Sequence, residues 1–508
     1  MNKLKKTLAL VAALAMTTTA FASCGDDPSS STSSPSSSTS ESSDAGSESS
    51  DAGSESSDTS SDAGSESSDA GNAGTGEMDA SVGQGGDTLT VVAWNPDDVP
   101  KLIAQWKGID YNTVAEDLNN KAVEGVNFVS FGVGGGEAAE NYDQYMSTGA
   151  DLDVYFVEAD WALKYINDDS KTLALDKLGL TDADFPNIYE YTDAIGKDSN
   201  GVRKGISWQA AAGGFAYRAD LAEEYLGVTS PEEMQAQVGD WDKFVTAAQT
   251  VSEKSSGAVA LADSLGGMWQ AYACGRTTPW VVDGVLKVDD FCKEFGDTAK
   301  TLWDINAVAH DDQWADEWTA NGANGSTMGY FVSTWGFGAF FLTASGSDPA
   351  TETAGEQYGK WALCQGPTPY YWGGTWIVVS PGTDNGNEAK EFILSATSDE
   401  AQMSEFAKNK PEYVNNTKVM DELIAADTTF NAFVQGNFKD NQNFYAELAE
   451  TAKAIDFNGL ITPYDATVKA SFLEAVKDEY CKGGASWEDT VTVFEDKVLE
   501  AIQDVTVE

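Results

Sequence analysis

Between Thr88 and Trp161 the sequence switches repeatedly between strand-type and helix-type patterning, and this restricts the chain to few architectures. Thr88 to Trp94 is an unbroken β-favouring run, and Asn95-Pro96-Asp97-Asp98 ends it abruptly. Helical stripes follow at Leu102, Ile103 and Trp106 and again at Tyr111, Val114, Ala115 and Leu118. A second strand spans Val126 to Phe131, Ala138, Tyr142, Tyr145 and Met146 line the next helix, and Asp153 to Val157 is a third strand. Strand, helix, strand, helix, strand predicts a parallel sheet with right-handed crossovers. Ligands of such sheets bind beyond the carboxyl ends of the strands. Here those ends carry Trp94, Asn95 and Asp97 after the first strand and Glu158, Asp160 and Trp161 after the third, pairing flat aromatics with polar groups.

A second organising stretch runs from Gly205 to Asp220. It places small residues, Ala210 to Gly214, between the pair Trp208-Gln209 and the aromatic strand Phe215-Ala216-Tyr217. Its glycines leave the backbone free to bend, so the stretch is expected to cross between two α/β lobes. Beyond it, further tryptophans stand beside strand-like runs: Trp335 after Tyr330 to Val332, and Trp376 after Gly373 and Gly374. The tail from Asn443 to Ile502 is mostly helical, with Ser486-Trp487-Glu488-Asp489 as a helix start.

The front of the chain has a different character. Lys3, Lys5 and Lys6 precede an apolar run from Leu8 to Met16 and the small residues of Phe21-Ala22-Ser23, so residues 1–23 read as a secretory signal too short to span a membrane. Cys24 then stands where a bacterial lipobox places the lipidated thiol. Residues 24–86 are Ser, Asp, Glu, Gly and Ala with few apolar side chains, and such a segment cannot offset its ordering entropy. They are expected to form a disordered tether between an acylated Cys24 and a folded body beginning at Asp87.

Charge and composition exclude several classes. The chain has 82 acidic and 30 basic residues, a net charge of −52, which argues against nucleic acid as a partner and disfavours an anionic ligand. His310 is the lone histidine, and no Cys-x-x-Cys pair is present, so no metal site and no cofactor is expected; Cys274, Cys292, Cys364 and Cys481 are compatible with one disulfide or with separate buried thiols. The run Gly132-Val133-Gly134-Gly135-Gly136 does not satisfy the dinucleotide fingerprint.

Taken in order, these pieces resemble the carbohydrate-binding extracellular lipoproteins of ABC transporters, the family that includes maltodextrin-binding protein. The resemblance rests on Val91-Val92-Ala93-Trp94, Leu152-Asp153-Val154-Tyr155, the stretch Lys204 to Asp220, Asp240-Trp241-Asp242-Lys243-Phe244, Gly325-Ser326-Thr327-Met328 and Glu388-Ala389-Lys390-Glu391-Phe392. It departs from the family pattern in lacking Pro in the crossover and in having Arg218 where the family has Asn. The resemblance implies a periplasmic-binding-protein-like α/β fold: two α/β lobes joined by a multi-strand hinge, with a helical C-terminal segment. The lobes are expected at 87–204 plus 361–407 and at 205–360 plus 408–508. By position it implies ligand contacts from Trp94, Asn95, Asp97, Asp160, Trp161, Trp208, Gln209, Trp335, Gly373, Gly374 and Trp376, with no catalytic residue.

Chemistry independently favours a sugar: its rings present an apolar C–H face that stacks on indole and an equator of hydroxyls that carboxylates and amides read. The expected function is a lipid-anchored, monomeric binder on the extracellular face of the bacterial cell membrane that captures a saccharide, expected to be an oligosaccharide, by lobe closure and passes it to permease subunits. Two other classes share the same residues. A polyamine binder would use the tryptophans and acids as a cationic box, and a glycoside hydrolase would need two carboxylates about 5–10 Å apart across the bond.

Overall fold

The computed structural model describes residues 76–94, 96, 98–109, 124–409, 412–456 and 460–507. The signal segment, Cys24 and most of the acidic tether lie outside the described residues, as do Asn95, Asp97 and the stripe from Tyr111 to Leu118. Among the described residues, no helix is long and apolar enough to cross a membrane.

Two sheets carry the fold. The first contains β1 (Leu89–Ala93), β2 (Val126–Ser130), β3 (Val154–Glu158), β4 (Gly205–Ser207) and, from much later in the chain, β11 (Thr375–Val379). β1 lies between β2 and β3 and is parallel to both, as the alternation predicts; β11 runs antiparallel between β3 and β4. β1 is buried along its whole length, which is why its sequence is an apolar run and not an alternation. The second sheet has β5 (Gly213–Arg218) between β9 (Thr327–Ser333) and β10 (Trp361–Cys364), with β6 (Ala260–Ala262) parallel to β9 on the far edge. A short hairpin, β7 (Val281–Val282) with β8 (Val285–Leu286), lies outside both.

The helices start where polar caps allow. Asp240 accepts from the Lys243 N–H at 2.8 Å to begin the helix Trp241–Ser255, and Ser486 accepts from Asp489 N–H at 3.1 Å to begin Trp487–Ala501. The expected helical tail is present as Phe444–Ala454, Asp465–Ala475, a π-helical continuation Val476–Lys482, and Trp487–Ala501.

Three expectations need correction. β4 belongs to the first sheet, so the crossing between lobes starts after Ser207 and not at 205. Trp361–Cys364 pairs with β5, so it belongs to the second lobe and not the first. Residues 76–86, assigned to the tether, pack on the first lobe. Met78 and Val82 supply the apolar contact the rest of that segment lacks, Val82 is buried, and a side chain at Gly386 would come within 2.6 Å of Val82. The strap is pinned by Gly76 N–H to Gly179 O (3.1 Å), Gly86 N–H to Asp384 O (2.8 Å) and an Asp79–Lys177 ion pair at 2.7 Å. The four body cysteines are separate free thiols, three of them buried.

The connection between the sheets is a three-stranded ribbon. Residues 208–212 cross first, and 365–374 return. Gly213 N–H donates to Tyr370 O at 2.8 Å, Trp372 N–H to Ala211 O at 3.0 Å, and Ala212 forms an antiparallel bridge with Tyr371. On the opposite side, Ala210 N–H donates to Tyr413 O at 2.8 Å and Gln209 bridges Val414. Asn415, fully buried, ties this edge down: its Oδ1 accepts from Tyr189 N–H and Thr192 Oγ1 (both 3.1 Å) and its Nδ2 donates to Ser207 O (2.9 Å). Removing it strands buried backbone groups at the ribbon's edge. Asn415→Ala is therefore expected to lower unfolding stability by about 2–4 kcal/mol, read from the urea midpoint at unchanged m-value.

Candidate functional site

The carboxyl ends of β3 and β9 and the return crossing converge on one point, Gly373. β3 ends at Glu158, whose carboxylate accepts from Asp160 N–H at 2.9 Å and so caps the single turn Ala159–Trp161. Ala159 N–H in turn donates to Gly374 O at 3.2 Å. Gly373 and Gly374 both have positive φ, +71° and +107°, conformations that disfavour any side chain. Space is tight as well: a Cβ at Gly373 would lie 3.3 Å from Trp335 Nε1, and one at Gly374 would lie 3.1 Å from the Trp376 ring. Strand ends of both lobes and the hinge thus form one wall.

Trp335, just past β9, is partly buried. Its Nε1–H donates to Trp372 O at 2.7 Å, and the Trp372 ring lies 5.1 Å away, edge-on. Trp314 lies nearly parallel to Trp335, with centroids 6.1 Å apart and planes 16° apart, and also contacts Phe340 and Trp372. Trp314 is 56% exposed and holds φ +76°, an unusual burden for a bulky residue and of the kind found at functional sites. Behind it, Trp318 is fully buried and donates from Nε1 to Asp263 Oδ2 at 2.8 Å. Asp263 also accepts from Phe331 N–H (3.1 Å) and Ser264 Oγ (2.8 Å), and burial pushes its carboxyl up to about 6 despite those donors. An exposed aromatic wall therefore stands on a buried, hydrogen-bonded base.

Electrostatics across the lobes are set by Lys469, on the helix Asp465–Ala475, which forms an ion pair with Asp160. Burial works to lower the Lys469 pKa, but Asp160 and then Asp465 outweigh it and hold the ammonium charged. Glu158 behaves oppositely: burial first, and the Asp160 charge second, push its carboxyl up to about 8. At neutral pH the wall offers a protonated carboxyl beside an ion pair, a mixed donor and acceptor set and not a bare negative box.

The sequence-predicted residues divide. Trp335, Gly373, Gly374 and Asp160 meet at the wall. Trp208 and Trp376 do not open onto it: each is 1% exposed, Trp208 edge-on to Phe406 and Trp376 donating to Thr192 O at 2.8 Å. Both belong to the core, as does Gln209, which is buried in the hinge ribbon. Trp94 and Trp161 sit at the predicted strand ends but pack edge-on to one another at 5.8 Å, and Trp161 is further enclosed by Tyr142 and Tyr165, so they too lie in the first lobe's aromatic core. Asn95 and Asp97 fall outside the described residues. His310 is exposed and stacks on Trp303 at 3.8 Å, where it takes no part in the wall. Sequence reasoning missed Trp314, Trp372 and Lys469. The last had a faint signal, its i,i+4 spacing from Asp465, which puts both on one helix face.

Two α/β lobes, a ribbon hinge and a site at the converging strand ends define the class of two-lobed solute-binding folds. The family described as bacterial extracellular solute-binding protein matches residues 116–432, more than half of the chain, and the chain belongs to that family. No curated protein matches in sequence. Among solved structures, an extracellular solute-binding protein of family 1 aligns with TM-score 0.65 at 17% identity, covering 82% of this chain and all of that one. The galacto-N-biose/lacto-N-biose I-binding protein of a Bifidobacterium longum ABC transporter, in complex with lacto-N-biose, aligns with TM-score 0.61 at 16% identity over 83% of this chain and all of that one. Maltose-bound MalE3 of T. maritima gives 0.54 at 14% identity over 82% and 100%. At these identities the likeness shows the fold.

The raised Glu158 pKa predicts a direction for stability with pH. A carboxyl whose folded pKa exceeds its ordinary value of 4.5 keeps a proton that the unfolded chain releases, so its contribution is present below 4.5 and lost as pH rises toward about 8. Glu158→Gln removes that loss. The variant and wild type should melt alike at pH 4, with the variant gaining in Tm over wild type from about pH 5 to about pH 8 and holding that gain above it.

Proposed function

We propose that this protein captures a neutral saccharide between its two lobes and delivers it to an ABC permease, acting as a monomer held to the extracellular face of the cell membrane by lipid on Cys24. The observation that carries this reading is the aromatic wall of Trp314, Trp335 and Trp372 beside Glu158 and Gly373 at the lobe junction. An exposed indole face suits the C–H face of a sugar ring, and the adjacent protonated Glu158, the Asp160 carboxylate and Lys469 suit its hydroxyls. The sugars named for structural neighbours, lacto-N-biose and maltose, are of this chemistry.

Two observations weigh against the other readings. A polyamine would meet Lys469, held charged, and an Asp160 already paired with it. Glu158 and Asp160 come from one turn of one strand end, and the second is engaged by Lys469; a hydrolase pair has to flank the scissile bond from two sides. The reading is therefore a binder with no chemistry of its own.

Calorimetric titration with lacto-N-biose, maltose, β-1,6-galactobiose and spermidine tests this. At least one sugar should bind while spermidine does not, and saturating sugar should raise Tm, as ligand bound only to the folded form must. Trp314→Ala and Trp335→Ala should each cost roughly 1–4 kcal/mol of binding, the usual span for an aromatic anchor, with little change in stability for the exposed Trp314. Spermidine binding in the absence of any sugar response would replace the saccharide reading with the cationic one.

A further inference from the structure

The ion pair of Asp160 and Lys469 joins the lobes directly, its carboxylate coming from the first and its ammonium from the second. Both ends stand on firm supports. The Asp160 N–H is held by the Glu158 carboxylate at 2.9 Å, and the next residue, Trp161, donates from its indole to Gly135 O at 3.0 Å. On the other side Val468 and Phe472, from the same helix as Lys469, are buried, and the Phe472 ring packs on Trp269 at 4.9 Å and on Trp280 at 5.7 Å. One turn earlier on that helix stands Asp465, 6% exposed, which accepts from Thr462 N–H at 2.8 Å and from Thr462 Oγ1 at 2.6 Å. The i,i+4 spacing puts Asp465 and Lys469 on one helix face. Lys469 is therefore the counter-charge for an acid of each lobe, Asp160 across the gap and Asp465 beside it, and these two acids repel one another.

We propose that this pair is a latch that holds the two lobes together independently of any ligand, with Lys469 as the cation that lets the acidic ends of both lobes meet. Its side chains are 21% and 37% exposed, so the attraction of the pair by itself is modest. What its loss leaves behind adds to it. Without the ammonium, Asp160 of the first lobe faces Asp465 of the second, and like charges at a partly shielded site push the lobes apart. The hinge ribbon sets how the two sheets align; the latch sets how far their facing ends stand from one another. A latched protein is biased toward the joined arrangement before a solute arrives, so less of the solute's binding free energy goes into closure. The proposal concerns the lobes alone and does not depend on which solute they take.

A native probe reads the latch. Cys274 lines the same cavity as Asp160 and Lys469 and is partly buried, whereas Cys292, Cys364 and Cys481 are buried. Its alkylation by iodoacetamide in the folded full-length protein, followed on its own peptide by mass spectrometry, tracks the population of separated lobes. Lys469→Met and Asp160→Asn should each speed it about fivefold. Loss of the ammonium disfavours ionisation of the Cys274 thiol and loss of the carboxylate favours it, so a common acceleration reads access and not thiol chemistry. Lys469→Arg keeps the charge and should react within twofold of wild type. Asp465→Asn keeps a helix-capping acceptor but removes the repelling acid, and should react no faster than wild type. Sodium chloride at about 1 M should speed wild type and leave Lys469→Met nearly unchanged. Melting curves establish that each variant is folded. Wild-type rates in both Lys469→Met and Asp160→Asn would rule the latch out, and so would equal acceleration in all four variants, which marks loosening around the cavity and not separation of the lobes.

Discussion

Every part of the site depends on backbone hydrogen bonding in the ribbon that joins the sheets. Residues 209–213 form its middle strand and are bonded on both sides, to Tyr370–Trp372 and to Tyr413–Val414. A buried backbone group without a partner is costly, so the middle strand cannot pull away from either neighbour without loss. The lobes are therefore held against sliding along the ribbon, and the register that brings Glu158, Gly373 and Trp335 together is held by the same bonds. Asn415 extends this control into the first lobe by satisfying Tyr189, Thr192 and Ser207 from one side chain.

How much of this could be read from the chain follows from what each signal encodes. Buried parallel strands appear as apolar runs, so β1 and β3 were legible, as were the β-favouring run of the half-exposed edge strand β2 and the parallel alternation of the three, and the small residues of 210–214 announced a crossing. The antiparallel entry of β11 between β3 and β4 was not, because a strand 168 residues after its partner carries no local mark of where it inserts; Ser207 pairs with Trp376 only in the folded sheet. Tryptophans proved the harder case. At a strand end an indole reads the same whether it faces a cleft or the core, and one residue of register decides between them. Trp335 and Trp376 illustrate the split: one is bonded to the return crossing at the surface, the other is directed to Thr192 inside the lobe. Trp314 lies in irregular chain, and apart from Trp318 its ring partners, Trp335, Phe340 and Trp372, are more than twenty residues away.

Charge organisation adds a second lesson. A chain with such an excess of acids invites the expectation of an anionic, cation-seeking cleft. Instead Lys469 neutralises Asp160, and Glu158 keeps its proton because burial and Asp160 together disfavour its charge. The site is polar without being strongly negative, and the net charge of the chain describes its surface and not its pocket. Asp263 shows the same economy at a deeper level, where a buried carboxyl serves to fix Trp318, and through it the exposed ring of Trp314.

The strap formed by residues 76–86 has a mechanical consequence. It is fastened to Gly179, Lys177 and Asp384, beside the loop where Thr383 and Asn385 hold Asp153 just ahead of β3, and β3 reaches the site only at its other end, Glu158. Any pull transmitted along the chain ahead of residue 76 therefore enters a single lobe and ends there, without passing through the ribbon. The ribbon's own hydrogen bonds, to Tyr370–Trp372 and to Tyr413–Val414, lie outside that path, so the alignment of the two sheets does not depend on how the strap is held.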